Sequence, residues 1–154
     1  MPTLVIIACL LTLSIVYSLQ YFGDLEPCKL CVYQRWPWWS ALLLAILTYS
    51  PGMSRRWILI LTTLCGISIL IGGAIALYHF GIELDWWNGL STCTQNEALP
   101  QTLAELHNST QLNLFKRCDE VPWSLFGLSM AGYNMFLSAA LSAIVLSSVC
   151  RKMK

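Results

Sequence analysis

Two cysteines three positions apart, Cys28 and Cys31, stand in the stretch EPCKLCVYQRWPWWS (Glu26 to Ser40), between an acidic turn and a row of tryptophans. This spacing serves zinc clips, thiol–disulfide redox centres and haem attachment alike. Haem attachment needs a histidine directly after the second cysteine, and Val32 stands there instead. Zinc binding, redox exchange and a purely structural staple differ in what they demand of the other cysteines, Cys9, Cys65, Cys93, Cys118 and Cys150. The chemistry open to the pair therefore depends on which of these share its side of the molecule.

The elements that place them are written in the charge pattern. Of 154 residues, 56% are hydrophobic and 11% charged, against roughly 25% charged in ordinary soluble domains. Pro2 to Phe22, Trp36 to Ser50, Trp57 to Ile82 and Val121 to Cys150 contain no Asp, Glu, Lys or Arg. Each approaches or exceeds the roughly 20 residues that cross a hydrocarbon core as helix, the second being the shortest. The pattern predicts an all-α membrane protein, a four-transmembrane-helix bundle. Its spans fall at about residues 3–21, 32–50, 57–79 and 127–149 of a single membrane domain covering 1–154. The first stretch lacks a basic n-region and a small-residue cleavage site, so it reads as a retained helix rather than a signal peptide.

Arg55 and Arg56 lie between the second and third spans, and Arg151, Lys152 and Lys154 follow the fourth; neither segment holds an acid. All eight Asp and Glu fall in the other two connections. The bias predicts cytoplasmic N and C termini, with loops at about 22–31 and 80–126 on the outer side. In the longer loop, NEALPQTLAELHNS suits a short amphipathic helix resting on the membrane surface. A formal net charge of +1 without a basic patch gives no reason to expect a nucleic-acid partner.

Topology sorts the cysteines. Cys9, Cys65 and Cys150 fall within or at the cytoplasmic end of apolar helices, where a free thiol behaves as a small hydrophobe. Cys28, Cys31, Cys93 and Cys118 fall together on the outer side, where an oxidising compartment lets disulfides persist. A four-cysteine zinc site usually comes as two close pairs, whereas Cys93 and Cys118 stand 25 positions apart. A structural bridge closing a loop of that size would contribute roughly 3 kcal/mol. A bridge between Cys28 and Cys31 closes almost no loop and is better suited to exchange chemistry.

Pro27 precedes the pair and the second helix is expected to begin near Cys31. Unpaired amides and the helix dipole at such a start stabilise a thiolate. Arg35, four residues after Cys31, shares its helical face, and a positive neighbour lowers a thiol pKa further; a snorkelling interfacial arginine is the alternative. Trp36, Trp38 and Trp39 fit an aromatic belt at headgroup level, which sets the thiols beside the bilayer. His79, near the outer end of the third helix, belongs to the same layer and could hydrogen-bond a lipid-soluble acceptor. The chain has no G-x-G-x-x-G, no haem motif and too little soluble sequence to fold around a flavin. A membrane quinone is the simplest electron sink.

The segments PCKLCVYQR, STC in the long loop and CDEVPWSLFGLSMAGYN, set among four spans with cytoplasmic termini, resemble the DsbB family. Its members are bacterial inner-membrane enzymes that reoxidise the periplasmic thiol oxidase DsbA and pass the electrons to ubiquinone or menaquinone. The resemblance implies redox-active disulfides Cys28–Cys31 and Cys93–Cys118, with Cys93 attacked by reduced DsbA to give a mixed disulfide. Cys118 then exchanges with Cys28, and Cys31 emerges as the thiolate that engages the quinone. It further implies quinone contacts from Arg35 and His79. From the cysteine spacing no metal is expected, and nothing in the sequence calls for more than a monomer. Gln34 stands where some members carry an acid. The reading of a different class is a non-enzymatic membrane protein whose outer cysteines bind zinc or staple the loop.

Overall fold

The structure is a computed structural model that describes residues 1–89 and 117–153; Cys93 and the expected amphipathic helix lie outside them. The described residues form α1 (Pro2–Phe22), α2 (Lys29–Tyr33), α3 (Arg35–Leu47), α4 (Arg55–Glu83) and α5 (Met130–Met153). A small antiparallel hairpin, β1 (Ser124–Leu125) and β2 (Leu128–Ser129), leads into α5. Three helices, α1, α4 and α5, are long and apolar enough to cross a membrane.

The second expected span differs in form. Helix begins at Lys29, is interrupted at Gln34, and α3 stops at Leu47. The interruption has a local cause: Pro37 has no N–H to give to the carbonyl of Tyr33, so the hydrogen-bond ladder fails there. Gln34 keeps helical dihedrals (φ −64, ψ −20), and the chain direction carries on. The third span runs past residue 79 to Glu83, and the fourth starts at Met130 rather than 127 because the hairpin occupies the residues before it. Phe126 and Gly127, at φ 51 and 77, form the hairpin's turn; positive φ at both positions is what a type I′ connection needs.

Side-chain contacts fix the helix directions. Thr3 meets Tyr49 while Gln20 meets Arg35, so α1 and α3 run antiparallel. Cys65 meets Ala41 while His79 meets Gln34, which turns α4 back along α3. Arg55 reaches the Lys152 carbonyl while Glu83 meets Ser129, so α5 opposes α4. The ends of α1 and α4 and the starts of α2 and α5 are thereby gathered at one end, with the basic residues Arg55 and Lys152 at the other.

Val5, Cys9 and Leu13 repeat every four residues along α1 and pack on Trp38, Ala41, Leu42 and Ala45 of α3. Cys65, Ile69, Leu141 and Val145 complete this cluster. Large apolar side chains face outward along the same helices, including Leu11 (58%), Leu43 (61%) and Ile71 (53%). Soluble monomers rarely leave so much contiguous apolar surface open, and lipid is the solvent that accepts it. Trp36 and Trp39 point outward as a belt requires, but Trp38 is buried in the core.

With lipid as solvent, helix association relies on close packing of small residues. A Cβ on Gly66 would lie 2.8 Å from Leu146 and 3.3 Å from Val145. Gly66→Leu is therefore expected to destabilise the α4–α5 contact by about 1–3 kcal/mol, read as a lower thermal midpoint in detergent. Reactivity of the thiol pair, at the other end of the bundle, is expected to be unchanged.

Candidate active site

Cys28 is the N-cap of α2: its backbone is extended (φ −74, ψ 168) and its Sγ accepts the Cys31 amide at 3.1 Å. A cap side chain commonly satisfies the N3 amide in this way, and doing so brings the third residue of the helix over the cap. The two sulfurs consequently lie 2.7 Å apart, with the Cys28 thiol donating to Cys31. A pair so close ionises as a unit. The Cys31 thiol is held below the ordinary thiol range, first by the hydrogen bond from Cys28 and also by the Arg35 charge, against the opposing effects of burial and Glu83. Cys28 moves up, chiefly because its proton is the one bound between the sulfurs and then because it is buried.

His79 closes over the pair from α4. Its Nε2 lies 3.5 Å from Cys28 Sγ and its Nδ1 2.9 Å from Gln34 Nε2. Gln34 Oε1 accepts from Asn134 Nδ2 at 2.7 Å, and Asn134 Oδ1 accepts from the Trp38 indole at 3.0 Å. Glu83, one turn beyond His79, has a carboxylate oxygen 3.7 Å from Nε2 and accepts a hydrogen bond from Ser129. The Cys28, Cys31 and His79 donor atoms all lie within 4.8 Å of one another, a grouping that a metal could bridge. Two thiolates on one tetrahedral zinc would stand about 3.8 Å apart from Zn–S bonds of ≈ 2.3 Å, and the two sulfurs here lie 2.7 Å apart.

Arg35 is held from α1, where Gln20 Oε1 accepts from its guanidinium at 2.6 Å and the Tyr17 ring lies 4.9 Å beneath it. Its Nε is buried without a hydrogen-bond partner among the described residues. A cavity of about 340 Å³ opens beside it, lined by Cys31, Arg35, His79, Trp38 and Leu13 among others. Pro122 and Trp123, leading into the hairpin, form part of the wall. An apolar chamber with a guanidinium and a thiolate in its wall suits a flat, apolar molecule carrying a hydrogen-bond acceptor.

The structure thus brings together Cys28, Cys31, Arg35 and His79. Cys118 joins them: it is fully buried, packs with Cys28, Leu30 and Ile82, and its backbone hydrogen-bonds His79. It is disulfide-bonded, whereas Cys28 and Cys31 are free thiols. Cys9 and Cys65 are buried free thiols in the helix core. Sequence reading missed Gln20, Glu83, Asn134 and the inward role of Trp38. A polar residue inside an apolar helix is the signal that could have found Gln20 and Asn134, and the i,i+4 spacing from His79 could have found Glu83.

The sequence profile of the family described as "Disulfide bond formation protein DsbB" matches residues 1–148. Among curated proteins, a disulfide bond formation protein B of Xylella fastidiosa is 29% identical over 142 residues, covering 88% of this chain and 80% of its own. One of Actinobacillus pleuropneumoniae is 29% identical over 162 residues, covering 98% and 86%. An uncharacterized protein of Rickettsia prowazekii is 25% identical over 134 residues, covering 86% and 76%. No solved structure matches the chain.

The shared proton makes a pH-dependent prediction. With its pKa depressed mainly by Cys28, Cys31 stays a thiolate to lower pH than an ordinary cysteine and loses reactivity only below that depressed midpoint. Cys28→Ala removes the donor, so the midpoint of Cys31 alkylation against pH is expected to move up. Peptide mass spectrometry of iodoacetamide-treated protein measures it.

Proposed function

We propose that this chain, which belongs to the DsbB family of disulfide bond formation proteins, is a quinone-dependent thiol:disulfide oxidoreductase that reoxidises a periplasmic DsbA-type dithiol oxidase. The observation that carries the reading is the depressed Cys31 thiol in the wall of an apolar cavity that Arg35 and His79 also line. The proposed setting is a bacterial inner membrane crossed four times, both termini cytoplasmic and the active cysteines periplasmic, with a single copy sufficient. The fourth crossing is then α3 with its flanking turns. Val32 through Ser50 reaches about 28 Å at 1.5 Å per residue, close to the roughly 30 Å hydrocarbon core, and the thiol pair sits just outside it.

In the proposed relay, a DsbA thiolate attacks Cys93, the Cys93–Cys118 bond breaks, and Cys118 leaves as a thiolate. Cys118 attacks Cys28 of an oxidised Cys28–Cys31 pair, and Cys31 departs with the electron pair. Each exchange is favoured when the leaving sulfur has a low pKa, which agrees with Cys31 rather than Cys28 being the depressed member. Packing of Cys118 against Cys28 supports the second exchange. A bound ubiquinone or menaquinone would supply the two-electron sink. Arg35 would hold it by donating from its guanidinium to a ring oxygen, and His79 and Trp38 would wall it in. Keeping a strong oxidant such as DsbA oxidised requires a sink of this kind.

Quinone reduction by reduced DsbA, followed by absorbance in membranes carrying the full chain, tests the reading. Cys31→Ser is expected to abolish turnover; undiminished turnover overturns the assignment. Arg35→Met is expected to raise the quinone KM about tenfold, the loss of a hydrogen bond from a charged donor.

A further inference from the structure

The polar chain that ends at His79 has a direction, and the indole of Trp38 sets it. Indole Nε1 can only donate, so the Asn134 atom 3.0 Å away is the carbonyl Oδ1, which also accepts from Ser138 Oγ at 3.2 Å. The Asn134 amide nitrogen is thereby turned toward Gln34 Oε1 at 2.7 Å. Gln34 must then present its own amide nitrogen to His79 Nδ1, at 2.9 Å. An amide nitrogen donates, so Nδ1 accepts, and a neutral imidazole in that position carries its proton on Nε2. That nitrogen faces Cys28 Sγ at 3.5 Å and Glu83 Oε1 at 3.7 Å, and the Cys118 backbone hydrogen-bonds the same ring.

We propose that Trp38, Asn134 and Gln34 are positioning residues that lock His79 in the Nε2–H tautomer and so make it a fixed hydrogen-bond donor to Cys28. The role rests on the thiol-exchange reading of the site. When the Cys93 thiolate, freed as DsbA departs oxidised, attacks Cys118 in a Cys118–Cys28 disulfide, the Cys93–Cys118 bond forms and Cys28 leaves with the electron pair. The departing sulfur then receives two N–H donors, the Cys31 amide already in place at 3.1 Å and the imidazole. With the other tautomer, a nitrogen lone pair would face the anionic sulfur and oppose its departure. Four helical segments contribute to this arrangement, and the residue that orients it is four hydrogen bonds away from the thiol.

Long-range proton–nitrogen correlation spectra of 15N-histidine-labelled full-length protein in detergent read the tautomer directly, with His107→Gln to assign the His79 signals. A single Nε2–H form is expected. Trp38→Phe removes the indole donor together with part of the buried ring and frees Asn134 and Gln34 to turn together, so a second population protonated on Nδ1 is expected. In a Cys31→Ser background the same change should slow Cys28 alkylation about twofold if half the molecules lose the donor. Gln34→Glu, read at alkaline pH where a carboxylate offers acceptors only, is expected to place a proton on Nδ1 from a different link in the chain. A proton on Nδ1 in the unmodified protein, or an Nε2–H form unaltered in both variants, overturns the proposal. These readouts need neither DsbA nor quinone. Loss of the quinone-reductase reading alone would leave the tautomer result standing, and a wrong tautomer in a protein that does reduce quinone would sink this inference alone.

Discussion

A polar side chain enclosed by packed helices and lipid has no water to fall back on, and leaving it unpaired costs several kcal/mol. That constraint organises the whole outer end of this bundle. Gln20, Gln34, Trp38, His79, Glu83, Ser129 and Asn134 each find a partner on another segment. The pairings fix helix register at the same time as they satisfy the groups. Sliding any one helix by a turn would break several bonds at once, so the site is held rigid by the cost of disturbing it. Arg35 Nε is the exception among the described residues, buried without a hydrogen-bond partner.

The two cysteines are chemically unequal because one of them caps a helix. Cys28 uses its sulfur to receive the Cys31 amide and its proton to bind the neighbouring sulfur, which leaves the negative charge on Cys31. The inequality is thus built into three backbone positions and needs no distant device. Arg35 reinforces it from the next turn, where Gln20 and Tyr17 of α1 hold the guanidinium. Helix α1 contributes no cysteine to the site, yet without it the arginine would be free to swing to solvent, as snorkelling cations do.

Much of this was legible in advance for physical reasons. Charge-free stretches report hydrocarbon contact directly, so α1, α4 and α5 could be placed to within a few residues. The helix start at the cysteine pair and the Cys31–Arg35 register follow from local rules that the structure obeys. The break at Gln34 was less visible, because Pro37 acts on a carbonyl four residues earlier and the chain direction survives it. Trp38 was assigned with its neighbours to the interfacial belt. Composition cannot separate one tryptophan of three, and only the angular position fixed by packing on α4 and α5 turns it inward. Gln20 and Asn134 lie 114 positions apart and become members of one site only when α1 and α5 are brought to the same end. Long-range pairing of this sort leaves no local trace.

The burial of Cys118 constrains the order of events in the proposed relay. Its sulfur is enclosed with Cys28 and Ile82 and carries a disulfide, while its backbone is tied to His79. A soluble dithiol approaching from outside cannot reach a sulfur with no exposed surface, so productive attack on that disulfide falls on its other sulfur. Cys118 is then the leaving group, and it leaves already in contact with the cysteine it must attack next. Holding the two in one packed cluster makes that second exchange intramolecular, which can replace several kcal/mol of activation entropy. The contact is maintained by apolar packing and a backbone hydrogen bond rather than by a covalent link. It is already in place while Cys118 is held in its disulfide and the Cys28–Cys31 pair is open.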